Sequence, residues 1–539
     1  MSYTAHVDTF AWDNLPPRDQ WPEFWAELPE LEYLPQLNCA TVLIDEAVAE
    51  GHGDSVALCS PNGTWSYRKL LEQANRIAHV LCEDMGLVPG NRVLLRSANN
   101  PMLAACWLGV MKAGGIAVTT MPLLRTVELR VIIEKAQVTH ALCDARLMTD
   151  LQEAVVGSGV SVKAVSFGAG ELEEAMAGKP AAFDNVDTAA TDVCILAFTS
   201  GTTGQPKATM HFHRDVLAMS DTFARHLLET RPHDVYLGSP PLGFTFGLGA
   251  LLVFPLRFRA AGGLLEAPTP EGLLEAVQSM GVTCLFTAPT MYRSLLPRLQ
   301  EYDISSLNRC VSAGEPLPKH TSDAWHDATG IRIIDGIGTT EMMHIFISAA
   351  GKGIRPGATG VPVPGYTACV LDESNQPLPP GNTGRLAVKG PTGCRYLSDQ
   401  RQRDYVVNGW NVTGDTYRVD EDGYFWFQAR DDDMIISSGY NIAGPEVEAA
   451  LLEHPAVAEC AVVASPHPER GHVAKAFVML SSGYDAVSED LVPELQNFVK
   501  QRIAPYKYPR EIEWVEALPK TITGKVQRFR LREVGQGGK

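Results

Sequence analysis

The chain has 539 residues, 45% of them hydrophobic, and a formal net charge of −18. An acid surplus of that size speaks against a nucleic-acid partner, which needs a basic face, and no stretch reaches the roughly 18 apolar residues of a membrane span. Eleven cysteines without paired or metal-type spacing predict reduced thiols in a cytoplasmic protein, not a disulfide framework.

Residues 1–40 carry Trp12, Trp21, Phe24, Trp25 and Tyr33 among prolines, without the apolar core of a signal peptide. They read as an extension that packs on the body. Spacing then predicts a helix over Tyr67–Leu81, a strand at Arg92–Leu95, a helix over Pro101–Ala113 and a strand at Gly115–Val118. Leu248–Phe258 is the greasiest stretch; Pro255 and Arg257 break it, and it reads as a buried helix. Glu271–Met280 and Thr283–Ala288 repeat the helix-then-strand pattern. Such alternation implies α/β layers with largely parallel sheets.

After about Gly357 the pattern changes. Short strand candidates, Thr367–Leu371 and Gly384–Val388, alternate with Pro/Gly turns as in a β-rich subdomain. Charges cluster at Arg430–Asp433. A compact α+β segment follows: helices over Gly444–His454 and Asp490–Ile503, strands at Ala458–Ala464, His472–Leu480 and Glu511–Val515. The expected fold class is α/β. A large N-terminal domain (1–430) would hold layered α/β sheets and the β-rich subdomain, and a small, mobile α+β domain (431–539) would follow.

The most informative segment is Thr199-Ser200-Gly201-Thr202-Thr203-Gly204-Gln205-Pro206-Lys207, after the strand-like run Val193–Phe198. Gly201 and Gly204 let backbone N–H groups approach phosphate oxygens. Thr199, Ser200, Thr202 and Thr203 add hydroxyls, and Lys207 adds a charge. Ala208 follows the lysine where the common ATPase loop has a hydroxyl for magnesium, so this is a different phosphate loop. Four more motifs follow: Gly338-Thr339-Thr340-Glu341, Thr413-Gly414-Asp415, Arg430-Asp431-Asp432-Asp433 and Pro519–Lys525. Together, and in this order, the five resemble the signatures of the acyl-adenylate-forming enzymes, which include acyl-CoA synthetases, peptide-synthetase adenylation domains and beetle luciferases.

The resemblance implies a reaction. A carboxylate attacks the α-phosphorus of ATP, pyrophosphate leaves, and the thiol of coenzyme A then displaces AMP. It also implies roles. Thr340 and Glu341 belong to the catalytic signature, with Glu341 as Mg2+ ligand; read alone, the glutamate after two threonines fits a helix N-terminus equally well. Asp415 and Arg430 would hold the ribose, although Gly-Asp alone is a turn signal. Gly314, Glu315, Pro316, Asp335, Gly336 and Ile337 would frame the adenine. Lys525 would bridge the carboxylate and the α-phosphate. Asp432 matches the hinge, and Gly439 would line the pantetheine tunnel.

Pro241–Leu251 and Glu341–Ile345 resemble the benzoate and 2-aminobenzoate branch of CoA ligases, as does Tyr3–Pro22. Carried over by position, Phe244, Thr245, Phe246, Ala313, Gly338, His344 and Ile345 would enclose one aromatic ring. Phe244 and Phe246, two apart, also fit core strand residues. Gly338 would leave room where a bulky residue closes the pocket to all but acetate-sized acids. Thr245 departs from the plain benzoate pattern, and its hydroxyl fits an ortho amino group; the alternative is a threonine bonding its own backbone. The expected partners are an aromatic acid, ATP and CoA, with no nucleic acid or membrane, and a homodimer left open. Alternatives are an enzyme that loads an aryl acid onto a carrier protein, a medium-chain acyl-CoA synthetase, and an ATP-binding regulatory protein on the same fold.

Overall fold

The computed structural model describes residues 3–168, 170–199, 206–430, 433–437, 440–467, 471–484, 490–503, 505–520 and 525–536. Four sheets organise them. The first has the strand order Lys163–Phe167, His140–Asp144, Arg92–Arg96, Ile116–Thr120, Val193–Thr199, Lys207–Phe212. All its neighbours are parallel except the last pair, a hairpin that carries the phosphate-loop candidate at its tip.

The second sheet has nine strands. Its centre is parallel: Val235–Gly238, Cys284–Thr287, Arg309–Ser312 and Ile333–Gly338 lie side by side. Strands buried on both faces read as near-continuous apolar runs, and Cys284, Leu285 and Phe286 are fully buried. The helix Pro101–Lys112 is apolar nearly all round and buried along its length, capped by the Asn100 side chain on the Leu103 N–H at 3.0 Å.

The third sheet is antiparallel and holds Thr367–Leu371, Thr383–Lys389, Val406–Val407, Trp410–Val419 and Phe425–Arg430. The fourth holds Met434–Ser437, Tyr440–Ala443, Val457–His467, Gly471–Leu480 and Glu511–Trp514, so all its strands follow residue 433. The expected α/β class and element order agree with this. The run Leu248–Phe258 is a buried helical segment.

Three local expectations differ. Thr413-Gly414-Asp415 is not a turn but a bulge within the strand Trp410–Val419: Ala387 pairs Val412 and Arg385 pairs Thr416, so three residues oppose Leu386. Gly414 takes φ +75° there, which a glycine tolerates. No helix follows Glu341, which sits in the turn between Ile333–Gly338 and Ile345–Ser348. Phe244 and Phe246 are not strand residues; they flank the start of the short helix Thr245–Leu248.

The N-terminal extension packs as expected, and its target is specific. Trp21 lies 5.7 Å from the Phe212 ring, and the Arg395 guanidinium sits over both rings. The Gln402 amide reaches Gln20 O at 2.8 Å, and Trp25 N–H donates to Gly390 O at 3.0 Å. The extension therefore braces residues 390–402 against the phosphate-loop hairpin. Arg395 is paired at 3.0 Å with Asp215, and both are buried. Removing one member of a buried pair leaves an uncompensated charge and costs about 3–5 kcal/mol. Asp215→Asn should lower the thermal midpoint by several degrees, whereas Asp54→Asn, which breaks the exposed Arg68 pair, should leave it almost unchanged; differential scanning calorimetry compares the two.

Candidate active site

Ligands of open α/β sheets gather beyond the carboxyl ends of the strands, and the candidate motifs lie there. Strand Val193–Thr199 ends at Thr199, the opening of the phosphate loop. Ser200, Gly201, Thr202, Thr203 and Gly204 lie outside the described residues. Lys207 opens the return strand, and Lys135 Nζ donates to Pro206 O at 2.9 Å, fixing the loop's exit. Strand Arg309–Ser312 ends at Ala313, Gly314, Glu315 and Pro316; Gly314 has φ +89°, and Glu315 accepts the Thr290 hydroxyl at 2.8 Å.

Strand Ile333–Gly338 carries Asp335, Gly336 and Ile337 and delivers Thr339, Thr340 and Glu341. In the turn after it, Met343 takes φ +71°, a conformation that non-glycine residues rarely adopt. This turn separates two side chains. Glu341 is held by the Tyr396 hydroxyl at 2.5 Å, whereas His344 lies among aromatic rings. His211, on the phosphate-loop hairpin, bonds Thr340 O at 2.8 Å and is buried. Burial pushes its pKa down to about 4, so the neutral ring donates through Nε2.

Asp415 is the direct cross-strand partner of Arg430, so the two expected ribose contacts are adjacent. Asp415 N–H also bonds the Thr413 hydroxyl at 3.3 Å. Asp415 and Glu341 both act on the buried Tyr405 hydroxyl, and Asp415 and Asp335 both act on Tyr417, with burial as the larger cause of each raised pKa. Tyr405 and Tyr417 thus lie within electrostatic reach of these acids. Lys525 arrives from the C-terminal segment: a Cβ built on Gly314 would lie 3.9 Å from Lys525 Cε. Asp432 and Gly439 lie outside the described residues.

The expected acid pocket is a cluster of rings around His344. Its ring lies 4.5 Å from Phe254, 5.5 Å from Phe246 and 5.7 Å from Phe223. Its Nε2 donates to Phe246 O at 3.3 Å. Nδ1 is then an acceptor, buried and unpartnered among the described residues. Burial drives the His344 pKa down to about 3, so the ring is neutral. Ala313 and Ile345 are buried, and Phe244 is half-buried. Thr245 is 7% exposed, and its hydroxyl makes no hydrogen bond among the described residues, so the backbone-bonded alternative does not hold. Gly338 does more than leave room. A Cβ there would come within 2.5 Å of His344 O, so the close approach of the strands itself demands glycine.

Several participants escaped sequence reasoning. Tyr396, Tyr405 and His211 are fixed by contacts between remote segments, and only the placement of His211 four residues after Lys207 could have drawn attention. Another convergence invisible in spacing is Cys39, Cys194 and His213, whose ligand atoms lie within 4.8 Å of one another. His213 Nδ1 accepts the Cys39 backbone N–H at 3.2 Å, which commits its lone pair. All three are buried, and we read them as core packing.

The profile of the AMP-binding enzyme family matches residues 45–396, and that of the AMP-binding enzyme C-terminal domain matches residues 446–525. The chain belongs to the AMP-binding enzyme family. Benzoate–CoA ligase of Thauera aromatica is 34% identical over 514 residues, covering 94% of this chain and 97% of the relative. The mitochondrial acyl-coenzyme A synthetase ACSM3 of Mus musculus is also 34% identical, over 87% of this chain and 84% of its own. The crystal structure of the anthranilate CoA ligase AuaEII in complex with anthranoyl-AMP superposes with a TM-score of 0.90 at 32% identity, covering 94% of this chain and 99% of that one. The protein is an acid–thiol ligase of the acyl- and aryl-CoA type, on the benzoate and 2-aminobenzoate branch.

The site fits a nucleotide. Asp335 as a whole is half-buried, yet its Oδ1 is sealed from solvent without a partner among the described residues, as an acceptor awaiting an amino group would be. Burial pushes its pKa up to about 8. The sign follows: between pH 4 and 8 the unfolded chain has lost this proton while the fold retains it, so stability falls as pH rises. Asp335→Asn removes that proton linkage. Ligand-free thermal melts should show the variant gaining on the wild type steadily from pH 5 to pH 8; parallel curves would mean that Asp335 is ionised in the fold.

Proposed function

We propose that this protein is an ATP-dependent aryl-CoA ligase that activates a benzoate-type acid, with 2-aminobenzoate favoured, as its aryl-adenylate and passes it to coenzyme A. The observation that carries the reading is the approach of Lys525 to the Gly314 loop, with Asp335 on the neighbouring parallel strand, Glu341 in the turn after it and the ring-lined His344 cluster in the same turn. Two anions, a carboxylate and a triphosphate, must meet there. The chemical need is charge neutralisation and in-line placement more than proton transfer.

The phosphate loop and Lys207 bind the β- and γ-phosphates. Asp335 accepts from the adenine amino group, and Asp415 with Arg430 holds the ribose. Lys525 lies between the acid carboxylate and the α-phosphate, where an ammonium on a long stem offsets the charge that builds up in the transition state. Glu341 fits a magnesium ligand: Tyr396 holds Oε1, and Oε2 has no partner among the described residues. The metal, when bound, would neutralise phosphate charge. For the second step, residues 431–539 rotate about Asp432, Lys525 withdraws, and the Gly439 face opens a path for the pantetheine thiol. Cytoplasmic location belongs to this reading; among the described residues no helix is long and apolar enough to cross a membrane.

The choice of acid rests on three features. Neutral His344, Phe246 and Ile345 suit a planar apolar guest. Thr245 offers an uncommitted hydroxyl, and His344 Nδ1 an uncommitted acceptor. The AuaEII likeness, at 32% identity over nearly the whole chain, supports the same choice. A medium-chain fatty acid is the second reading, and the equal identity to ACSM3, an acyl-coenzyme A synthetase, supports an acyl alternative of this kind.

Pyrophosphate release across benzoate, 2-aminobenzoate, hydroxybenzoates and octanoate, with and without CoA, tests the reading; best turnover of octanoate would replace the aryl assignment. Lys525→Ala should lower adenylate formation by several orders of magnitude and leave thioester formation from supplied aryl-adenylate largely intact. Equal loss in both steps would remove the lysine from the first one. Thr245→Val keeps the volume and deletes the hydroxyl. It should lower kcat/KM for 2-aminobenzoate by roughly fivefold to tenfold, with benzoate almost unchanged, since one buried hydrogen bond is worth on the order of 1 kcal/mol.

A further inference from the structure

Tyr396 stands at the meeting of two motifs. Its hydroxyl donates to Glu341 Oε1 at 2.5 Å and accepts from Lys207 Nζ at 3.2 Å. A phenol can do both at once. Among the described residues Lys207 and Glu341 make no direct ion pair within 4.0 Å; the hydroxyl occupies the space between them. The carboxylate oxygen can only accept and the ammonium can only donate, so the hydroxyl donates to Glu341 and accepts from Lys207.

The ring is fully buried and cannot drift. Tyr396 N–H donates to Gln402 Oε1 at 2.8 Å. Met210 N–H donates to Arg395 O and Leu397 N–H to Ala208 O, which lay Tyr396 against Thr209 as an extra edge on the phosphate-loop hairpin. The Tyr405 ring meets it edge-on at 5.7 Å, and Tyr405 OH bonds the Thr339 hydroxyl at 3.1 Å. The N-terminal extension braces the same segment from behind through Gln20 and Gln402.

We propose that Tyr396 is a positioning residue for nucleotide binding: it keeps Lys207 and Glu341 from closing into a direct ion pair, and it presents the open Glu341 oxygen to the divalent cation that accompanies ATP. A collapsed pair would be held by direct attraction between opposite charges in this partly buried place, and the ligands would have to break it. With the hydroxyl interposed, the lysine swings to phosphate while Oε1 stays tethered. This inference rests on the ATP reading above.

The test uses Mn2+ as the cation and a non-hydrolysable ATP analogue. Electron paramagnetic resonance reports bound Mn2+, and calorimetry reports the nucleotide, with no turnover required. Tyr396→Phe keeps the ring and should raise the Mn2+ half-saturation concentration by about tenfold, with the ligand-free melting temperature within a few degrees of wild type. Glu341→Gln should also weaken Mn2+ binding, and adding Tyr396→Phe to it should cost nothing more, because the tyrosine acts through that carboxylate. Wild-type Mn2+ dependence in Tyr396→Phe, or a full additive loss in the double variant, overturns the proposal and leaves the ATP reading standing. A wild-type enzyme that binds neither nucleotide nor Mn2+ overturns the ATP reading itself.

Discussion

The constraint behind the proposed reaction is that two anions must touch on a protein whose own formal charge is −18. The global field opposes their approach, so positive charge must be local and placed by structure. Lys207 sits on a hairpin fixed on both sides: Lys135 holds the loop's exit, and the Arg395–Leu397 edge lies along the return strand. Lys525 comes from the far end of the chain to the Gly314 loop. A lysine on a separate segment can be supplied for one step and withdrawn for the next, which a residue on the rigid sheets could not do. In the proposed reading the acidic side chains Glu341, Asp335 and Asp415 engage a metal, an adenine amino group and ribose hydroxyls.

The same economy of position divides the acid pocket from the phosphate site. Only a few residues separate Glu341 from His344, yet they serve different chemistries. The strained Met343 backbone and the bulge pairing Gly338 with Ile345 turn the chain so that one side chain faces polar partners and the other faces phenylalanines. Gly338 is constrained by backbone contact, and in the proposed reading by pocket volume as well. A large residue introduced there would test folding as much as selectivity.

Much of this was legible in the sequence because the motifs are local. Strand Val193–Thr199, the alternation through Thr287 and the α+β tail all follow from periodicity over a handful of residues. Glycine positions such as Gly314 carry their own physical signature. Less legible was anything set by distant pairing. Thr413-Gly414-Asp415 reads as a turn because glycine beside aspartate usually is one; only the register against Arg385 and Ala387 makes it a bulge. Thr339-Thr340-Glu341 has the composition of a helix cap, but the antiparallel strand at Ile345 takes the chain back before a helix can start. Tyr396 and Tyr405 carry no local signal, since aromatic residues in a Pro/Gly-rich stretch are ordinary, and their hydroxyl partners lie more than fifty residues away.

The central claim is that the acid's carboxylate attacks the α-phosphorus of ATP. The most direct measurement supplies 2-aminobenzoate labelled with heavy oxygen in the carboxylate, with ATP, Mg2+ and CoA, and follows the label by mass spectrometry. Attack at the α-phosphorus predicts one labelled oxygen in AMP and unlabelled pyrophosphate. Label in inorganic phosphate, with ADP as the nucleotide product, would contradict the account.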